Sequence, residues 1–327
     1  MLRRIVALLV VLPITAAIGV TQFNASFARY QMFPLAAAAY SPHPEDCLKV
    51  VDPKGYLMKD VALVCDSLDD TCSGYLGVMP SFGAIVISFR GTAGAGQLVD
   101  EVMDMMVQSP EPIASGGKVG PYFKDAFDTI WTGGLMTGLT TLAQQNPSME
   151  LWVTGHSLGG SMATIAAATI VNKGIFPANK IKMVSFGEPR AGDKTFASSM
   201  DDKIAAMHRV IHLRDLVPHV PPKFMKYQHH KQEIFYTADN MDDINSFKAC
   251  VGEEDDTCSD DYFDASIDDH LHYYGLKVSQ FGINGCVGPT SGEKSTISPK
   301  ARELERRVRE MKAIDRALAK DMKNHPN

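Results

Sequence analysis

The sequence lacks an excess of positive charge. Its 327 residues include 32 Lys and Arg against 38 Asp and Glu, which gives a formal net charge of -6. Proteins that bind nucleic acid present basic patches to the phosphate backbone. The charge balance therefore argues against a nucleic-acid partner, while the hydrophobic share of 45% is ordinary for a globular domain.

The sequence also lacks any Cys-x-x-Cys pair, and its histidines are not grouped with its six cysteines. Because closely paired cysteines are typical of structural zinc sites, we expect no metal, and no cofactor is indicated. Two cysteine pairs flank short acidic turns, which favours local disulfides, and the other two cysteines lie near opposite ends of the core. The predicted disulfides are Cys65 with Cys72, Cys250 with Cys258, and Cys47 with Cys286.

Long apolar runs are absent except at the amino terminus. Residues 1–20 start with basic Arg3 and Arg4, continue with an apolar run interrupted by Pro13, and end in small residues. This order is typical of a secretory signal peptide. An uncleaved anchor is the alternative, although the run is short for a membrane span. We expect a secreted, extracellular protein with no stable transmembrane segment after signal cleavage.

What the sequence does contain is a strand, a sharp turn and a helix in direct succession. A short apolar run, 151–153, precedes the pentapeptide Gly-His-Ser-Leu-Gly at 155–159, and an alanine-rich segment follows at once. The Gly-x-Ser-x-Gly pattern alone is weak, but strand before and helix after is the context that it requires. The pattern predicts that Ser157 lies at the apex of the turn with its hydroxyl exposed above a sheet edge.

Short apolar strands and amphipathic helices alternate over the second half of the chain. This alternation predicts an α/β fold with a mostly parallel central sheet flanked by helices, whose functional loops gather at the carboxyl ends of the strands. The longest predicted helices are 122–142, interrupted by two glycines, and 158–172. The predicted strands are 61–64, 74–78, 84–89, 151–153, 181–186, 208–213 and 233–237.

A serine hydroxyl needs a base, and the base needs an orienting carboxylate. In hydrolases of this architecture the chain order is Ser, then Asp or Glu, then His, and Ser157, Asp215 and His270 satisfy that order. The residue types alone leave other candidates open. The competing residues are Asp193, weakly Asp268 and Asp269, and the histidines His212, His219 and His272, whereas His156 is interpreted as structural because neighbours on a turn point apart.

An oxyanion hole requires two donors near the nucleophile. The N–H of Leu158, the residue after the serine, supplies the first, and Thr92, after the strand that ends at Phe89, is the natural second. Its hydroxyl can reinforce its N–H.

The segment 97–107 places apolar residues at helical spacing after a glycine-rich stretch. A core-facing helix and a mobile one explain this spacing equally well. The apolar residues of this segment are Leu98, Val102, Met105 and Met106.

The tail 289–327 differs in composition from the rest of the chain. Ser298-Pro299 is a helix start, and a stripe of apolar residues recurs among many arginines and lysines. A solvated or partly disordered appendage is favoured, and a helix lying on an anionic membrane or a partner is the alternative.

With these residues in view, the chain resembles the class 3, fungal-type triacylglycerol lipase family. The matching motifs follow the family's order and span residues 30 to 286, within a domain expected at 21–288. They are Ile87-Ser88-Phe89-Arg90-Gly91-Thr92, the elbow 153–160, Ser185-Phe186-Gly187-Glu188-Pro189-Arg190-Ala191-Gly192-Asp193, Arg214-Asp215-Leu216-Val217-Pro218-His219, and Asp269-His270-Leu271-His272-Tyr273-Tyr274-Gly275.

The resemblance implies an α/β-hydrolase fold with Ser157 as nucleophile, Asp215 as acid and His270 as base. It implies Thr92 and Leu158 as the oxyanion hole and the same three disulfides. It also implies a short helical lid at 96–108, although this chain has Gln97-Leu98 where family members often carry Asn-Trp.

The implied activity is hydrolysis of lipid carboxyl esters at a lipid–water interface through an acyl-enzyme. A phospholipase A1 or another carboxylesterase is the alternative among enzymes, and a secreted lipid-binding pseudoenzyme is the alternative outside them.

Overall fold

The computed structural model describes residues 21–65, 71–92, 100, 108–288 and 298–325. The predicted signal peptide lies outside these residues. The predicted lid residues Leu98, Val102, Met105 and Met106 lie outside them as well.

An eight-stranded sheet forms the centre of the molecule. In spatial order, which is also the order along the chain, its strands are β1 Tyr56–Val64, β2 Thr71–Met79, β3 Ala84–Phe89, β4 Glu150–His156, β5 Ile181–Phe186, β6 Met207–His212, β7 Glu233–Tyr236 and β8 Phe247–Ala249. Strands β1 to β3 are antiparallel, β3 to β7 are parallel, and β8 pairs antiparallel with β7. This is the mostly parallel α/β sheet that the sequence predicts.

Helices cover both faces of the sheet, which is why the middle strands are buried along nearly their whole length. Two π-helical turns, Ala28–Met32 and Trp131–Leu135, join helices that follow one another. The helices are α1 Ala25–Phe27, α2 Phe33–Ala38, α3 Pro44–Val51, α4 Pro121–Ile130, α5 Met136–Gln145, α6 Leu158–Asn172, α7 Lys194–Asp201, α8 Ile267–Leu271, α9 Val278–Ile283 and α10 Pro299–Asn324.

Short ribbons and single turns complete the fold around the sheet. A four-stranded ribbon joins Glu111–Pro112, Lys118–Val119, Gly192–Asp193 and Tyr227–Gln228. A two-stranded ribbon joins His272–Tyr273 and Leu276–Lys277. The 3-10 turns are Pro80–Phe82, Ala178–Lys180, Val217–His219, Lys223–Met225 and Ser259–Asp261.

The interruption of the long helix before β4 has a local cause. Gly134 adopts φ 139°, a conformation that side chains with a Cβ rarely adopt, and it separates α4 from α5. Two helices therefore stand where the sequence predicts one interrupted helix.

Three disulfides join the predicted cysteine pairs. Two of them close short loops, at sequence separations of 7 and 8, and the third joins residues separated by 239 positions. They are Cys65–Cys72, Cys250–Cys258 and Cys47–Cys286.

The C-terminal segment differs from the solvated appendage that its composition favours. Ser298 caps α10 by accepting the N–H of Ala301, and Leu304 and Val308 are completely buried in the main hydrophobic cluster. The helix thus packs onto the domain. Among the described residues, no helix combines the length and the apolar character needed to cross a membrane.

The packed face of α10 also buries three ionisable side chains, Glu305, Lys312 and Asp315. The Glu305 carboxylate accepts the N–H of Ile267 at 3.1 Å, and Asp315 accepts the N–H groups of Lys223 and Phe224 at 2.9 and 2.8 Å. The sequence does not predict this docking, because charged positions on a helix ordinarily indicate a solvated face.

Candidate active site

The turn between β4 and α6 holds Ser157 in a strained backbone conformation, with φ 61° and ψ -136°. Only small residues fit two positions before and two positions after Ser157. A Cβ at Gly155 would collide with the backbone of Gly159, and a Cβ at Gly159 would collide with the backbone of Phe89. The glycines of the pentapeptide are therefore required by close backbone approach, and they leave Ser157 at the apex of the turn.

The predicted oxyanion donors border the same turn. Leu158 is the first residue of α6, so its N–H is one of those that a helix leaves without an intrahelical acceptor. Gly91 lies so close to Ser157 that an added Cβ would be 2.8 Å from the serine Cβ. Thr92 follows Gly91 directly, so the chain segment that carries it borders the serine.

Ser157, His270 and Asp215 form one continuous hydrogen-bonded chain. The Ser157 Oγ lies 2.9 Å from the Nε2 of His270. The Nδ1 of the same ring lies 2.9 Å and 3.0 Å from the two carboxylate oxygens of Asp215. Asp215 and His270 are completely buried, and Ser157 exposes only 2% of its surface. This arrangement orients a base toward a serine hydroxyl and a carboxylate toward the base.

Two neighbouring loops bring Asp215 and His270 together. Asp215 follows β6, and a bridge pairs it with Ser266, whose side chain caps α8 by accepting the N–H of Asp269. His270 lies on α8, one turn further along. The acid and the base thus lie on adjoining backbone segments although they are far apart in sequence.

Asp215 has two further donors. The Tyr273 hydroxyl donates to Oδ2 at 2.6 Å, and the N–H of Val217 donates to Oδ1 at 2.9 Å. Burial acts to raise the pKa of Asp215, but His270 and these two donors outweigh it, so the pKa lies below its ordinary value. Asp215 is therefore ionised at neutral pH.

The competing carboxylates of Asp193 and Asp269 have other partners. Asp193 caps α7 by accepting the N–H of Phe196 at 2.9 Å, and it also accepts the N–H of Lys118. Asp269 forms an ion pair with Arg214 at 3.1 Å. Neither carboxylate has a hydrogen bond to His270 in the described structure.

The competing histidines also have other partners. His212 bonds through its ring to the carbonyl oxygens of Asp269 and Asp239, and His219 lies between Asp260 and Lys312. His272 bonds to the carbonyl of Asp268 at 2.8 Å.

His156 lies against the base. Its ring stacks on that of His270, with centroids 4.6 Å apart and an interplanar angle of 26°. His156 is predicted to be structural, and the sequence alone does not predict this contact. Tyr273 is missed as a neighbour of Asp215 although it belongs to the motif 269–275, because it lies in the ribbon His272–Tyr273 after α8 and its contact with Asp215 depends on the path of that ribbon.

No metal centre is formed by the described residues. Their one cluster with metal-ligating atoms contains Glu233, Cys250 and Cys258, and both sulfurs belong to a disulfide, so no thiolate is available.

Comparison with known proteins gives consistent matches. Residues 86–225 match the family model described as lipase (class 3). A lipase from Caenorhabditis elegans is 31% identical over 299 residues, which covers 81% of this chain and 83% of that protein. A secreted mono- and diacylglycerol lipase from Fusarium solani is 26% identical over 270 residues, covering 81% of this chain and 77% of that protein.

A solved structure is similar over most of its length. The crystal structure of a lipase from Rhizopus microsporus var. chinensis superposes with a TM-score of 0.67 and 26% identity, covering 80% of this chain and 91% of that chain. The sheet, the strained serine turn and the hydrogen-bonded chain behind it, together with this match, define the protein as an α/β-hydrolase. Within that class, the chain belongs to the class 3 lipase family, whose members are carboxylic ester hydrolases.

Proposed function

We propose that this enzyme hydrolyses carboxyl esters of acylglycerols through an acyl-enzyme on Ser157. The observation that carries the proposal is the unbroken chain of hydrogen bonds, each about 3 Å long, from the Ser157 Oγ through His270 to Asp215. Each contact in it serves one role in ester cleavage.

In the acylation step, the Ser157 Oγ attacks the ester carbonyl carbon while its proton passes to the Nε2 of His270. The negative charge that forms on the carbonyl oxygen is stabilised by the N–H of Leu158 and by Thr92, aided by the positive end of α6. The ester C–O bond then breaks, and His270 returns the proton to the departing alkoxide. The alcohol leaves, and the acyl group remains on Ser157.

In the deacylation step, His270 takes a proton from water, and the resulting hydroxide oxygen attacks the acyl carbon. Collapse of the second tetrahedral intermediate breaks the bond to the Ser157 Oγ, which recovers its proton from His270. The ionised Asp215 stabilises the imidazolium in both steps.

The substrate class follows from the relatives. Proteins similar to this chain are named lipases and mono- and diacylglycerol lipases, and the class 3 model covers the turn that carries Ser157. An extracellular location is supported by the three disulfides, because such bonds persist in oxidising compartments. We propose that the reaction takes place outside the cell, at a lipid–water interface.

The test uses Ser157→Ala. It removes the hydroxyl that begins the reaction, so turnover of a short-chain p-nitrophenyl ester should fall by about 10⁴-fold or more. Circular dichroism should show an unchanged fold, and Ser161→Ala, one turn into α6, is the matched control. A fluorophosphonate probe should label the wild type and not the Ser157 variant. Undiminished turnover by the variant would refute the assignment.

Substrate scope is tested with a panel of tributyrin, diacylglycerol, monoacylglycerol and phosphatidylcholine. We expect acylglycerols to be preferred. A preference for phosphatidylcholine would instead indicate a phospholipase A1, and probe labelling without any turnover would indicate a lipid-binding protein with a vestigial site.

The lid remains a proposal at 96–108. The apolar residues Leu98, Val102, Met105 and Met106, at helical spacing after a glycine-rich stretch, support it. It predicts that activity on tributyrin rises abruptly above the solubility limit, and a smooth saturation curve would contradict it.

A further inference from the structure

We propose that His156, held by Tyr40, is a positioning residue for His270. This inference rests on the proposed function, since it assigns His156 a task only if His270 is the base. It concerns a buried histidine that takes no part in the reaction steps described above.

Three contacts join His156 to its neighbours. The ring lies face to face with His270, as described above. Its Nε2 lies 2.9 Å from the backbone carbonyl oxygen of His270, and its Nδ1 lies 2.8 Å from the Tyr40 hydroxyl. His156 thus contacts both the side chain and the backbone of the base.

These contacts fix the protonation of the ring. A carbonyl oxygen can only accept, so the Nε2 of His156 carries the hydrogen and donates it to His270. The Nδ1 is then unprotonated and accepts from the Tyr40 hydroxyl. His156 is therefore held as one neutral tautomer, and turning the ring over would break both bonds.

Neutrality matters because His270 becomes positively charged in each half of the reaction. Burial, followed by the charge on His270, lowers the pKa of His156 to about 3, so it does not take up a proton at neutral pH. A charged neighbour stacked at this distance would oppose the imidazolium, whereas a neutral ring does not. His270 can therefore accept its proton without electrostatic repulsion from His156.

The surroundings of His156 connect several parts of the site. Tyr273, which donates to Asp215, lies edge-on to the His156 ring with centroids 5.7 Å apart. The Tyr40 hydroxyl lies against Gly91, so that any side chain there would collide with it. Tyr40 and His156 thereby connect the base to the segment that leads to Thr92.

His156 acts by positioning the base. Its bond to the His270 carbonyl fixes the position of the α8 backbone, and its stacked ring fixes the plane of the His270 imidazole. Together they direct the Nε2 of His270 toward the Ser157 Oγ. A misplacement of about 1 Å at such a site can lower the rate about 100-fold.

The decisive experiment compares His156→Leu with His156→Gln in the full chain. The leucine variant fills a similar volume with an apolar side chain but removes both hydrogen bonds. Its kcat on a p-nitrophenyl ester should therefore fall about 10- to 100-fold, with KM within about twofold of the wild-type value. The glutamine amide can still donate to the His270 carbonyl, so this variant should recover a large part of kcat.

Two further variants separate positioning from general stability. His208→Gln replaces another buried histidine, which bonds to the carbonyl of Thr21 at 3.0 Å, and should leave kcat unchanged. Tyr40→Phe removes the bond that fixes the tautomer of His156 and should lower kcat by about threefold to tenfold. Circular dichroism and thermal melting report whether each variant is folded.

The outcomes discriminate clearly. A folded His156→Leu enzyme with wild-type kcat would overturn the inference. Equal losses in the leucine and glutamine variants, with unchanged kcat in Tyr40→Phe, would overturn it as well, since that pattern reports packing alone. If the wild-type enzyme fails to react with the fluorophosphonate probe, the proposed function fails instead. If the leucine variant does not fold, the glutamine and phenylalanine variants decide.

Discussion

The loop that carries His270 lies between two regions with different chemistry. On the inner side, toward the sheet, its neighbours are the uncharged side chains of Tyr40, His156 and Tyr273. Among the described residues, Asp215 is the one charged group on that side that bonds to the base. On the outer side, α10 contacts the loops around the site through the buried charges of Glu305, Lys312 and Asp315.

This difference separates the chemistry from the scaffold. The inner contacts are hydrogen bonds between uncharged side chains around a single ionised carboxylate. The outer contacts depend on buried ions, which are costly to bury and fix one register of the helix. Substitutions that change the charges buried under α10 should therefore affect the docking of this helix more than they affect the site.

The largest effect is expected on the inner side. Asp215→Asn removes the carboxylate charge that bonds to the base and allows the wrong tautomer of His270, so kcat should fall about 10³- to 10⁴-fold. Steady-state kinetics on a p-nitrophenyl ester measures it, with a thermal melt to show that the protein is folded.

Asp193→Asn is the matched control for that substitution. Its amide oxygen still accepts at the start of α7, so kcat should stay within about twofold of the wild type. A large loss with Asp193→Asn and a small one with Asp215→Asn would reverse the assignment of the acid.

The next effect belongs to the outer side. Glu305→Ala leaves the buried N–H of Ile267 without its acceptor, which should lower the free energy of unfolding by about 2 kcal/mol. Glu305→Gln keeps an oxygen acceptor and should recover most of that loss. Urea unfolding measures both variants.

Glu310→Ala serves as the control, because Glu310 lies on the exposed face of the same helix and pairs with the exposed side chain of Arg306. Its change should stay within about 0.5 kcal/mol. If Glu305→Ala lowered kcat as strongly as Asp215→Asn, the division between scaffold and chemistry would be wrong.

The smallest effect concerns Lys312. Burial is the largest influence on this group and lowers its pKa to about 8, from an ordinary value of 10.5. The unfolded chain therefore binds more protons between these two values, so the contribution of Lys312 to stability rises with pH across that window. Below pH 8 its burial penalty is present in full.

From pH 7 to pH 9 the gain from Lys312 should be about 1 kcal/mol. Lys312→Met should abolish this rise, which urea unfolding at the two pH values measures as a difference between variant and wild type. Lys300→Met, at an exposed position of the same helix, should retain it. An unchanged pH dependence in Lys312→Met would show that the buried ammonium does not govern the docking of α10.

The sequence contained enough to predict the sheet, the serine turn and the neighbours of Ser157 in the hydrogen-bonded chain. Local chemistry explains this success. The glycines around Ser157 are required by the turn itself, and the order of Ser157, Asp215 and His270 along the chain follows from the order of the strands. Helix α6 begins at the predicted residue because the elbow fixes its start, and it also ends at the predicted residue.

The remaining features depend on contacts between distant residues. Nothing in the pentapeptide shows that the ring of His156 turns toward His270, because that contact depends on the path of α8. Likewise, Glu305 and Lys312 look like members of a solvated face until the loops that accept them are in place. Helical periodicity gives the angle of a side chain around the axis, but not what lies opposite it.

The disulfide between Cys47 and Cys286 makes a closed covalent ring from all the chain between them, a separation of 239 residues. Ser157, Asp215 and His270 all belong to that ring, whereas α10 lies outside it and is held to the domain only by packing and hydrogen bonds. One cut in the ring releases nothing under non-reducing conditions, and the three residues stay on a single molecule. A cut between Cys286 and α10 instead breaks the covalent link between α10 and the ring. Fragment sizes on a non-reducing denaturing gel therefore show whether a protease has cut inside the ring or after it.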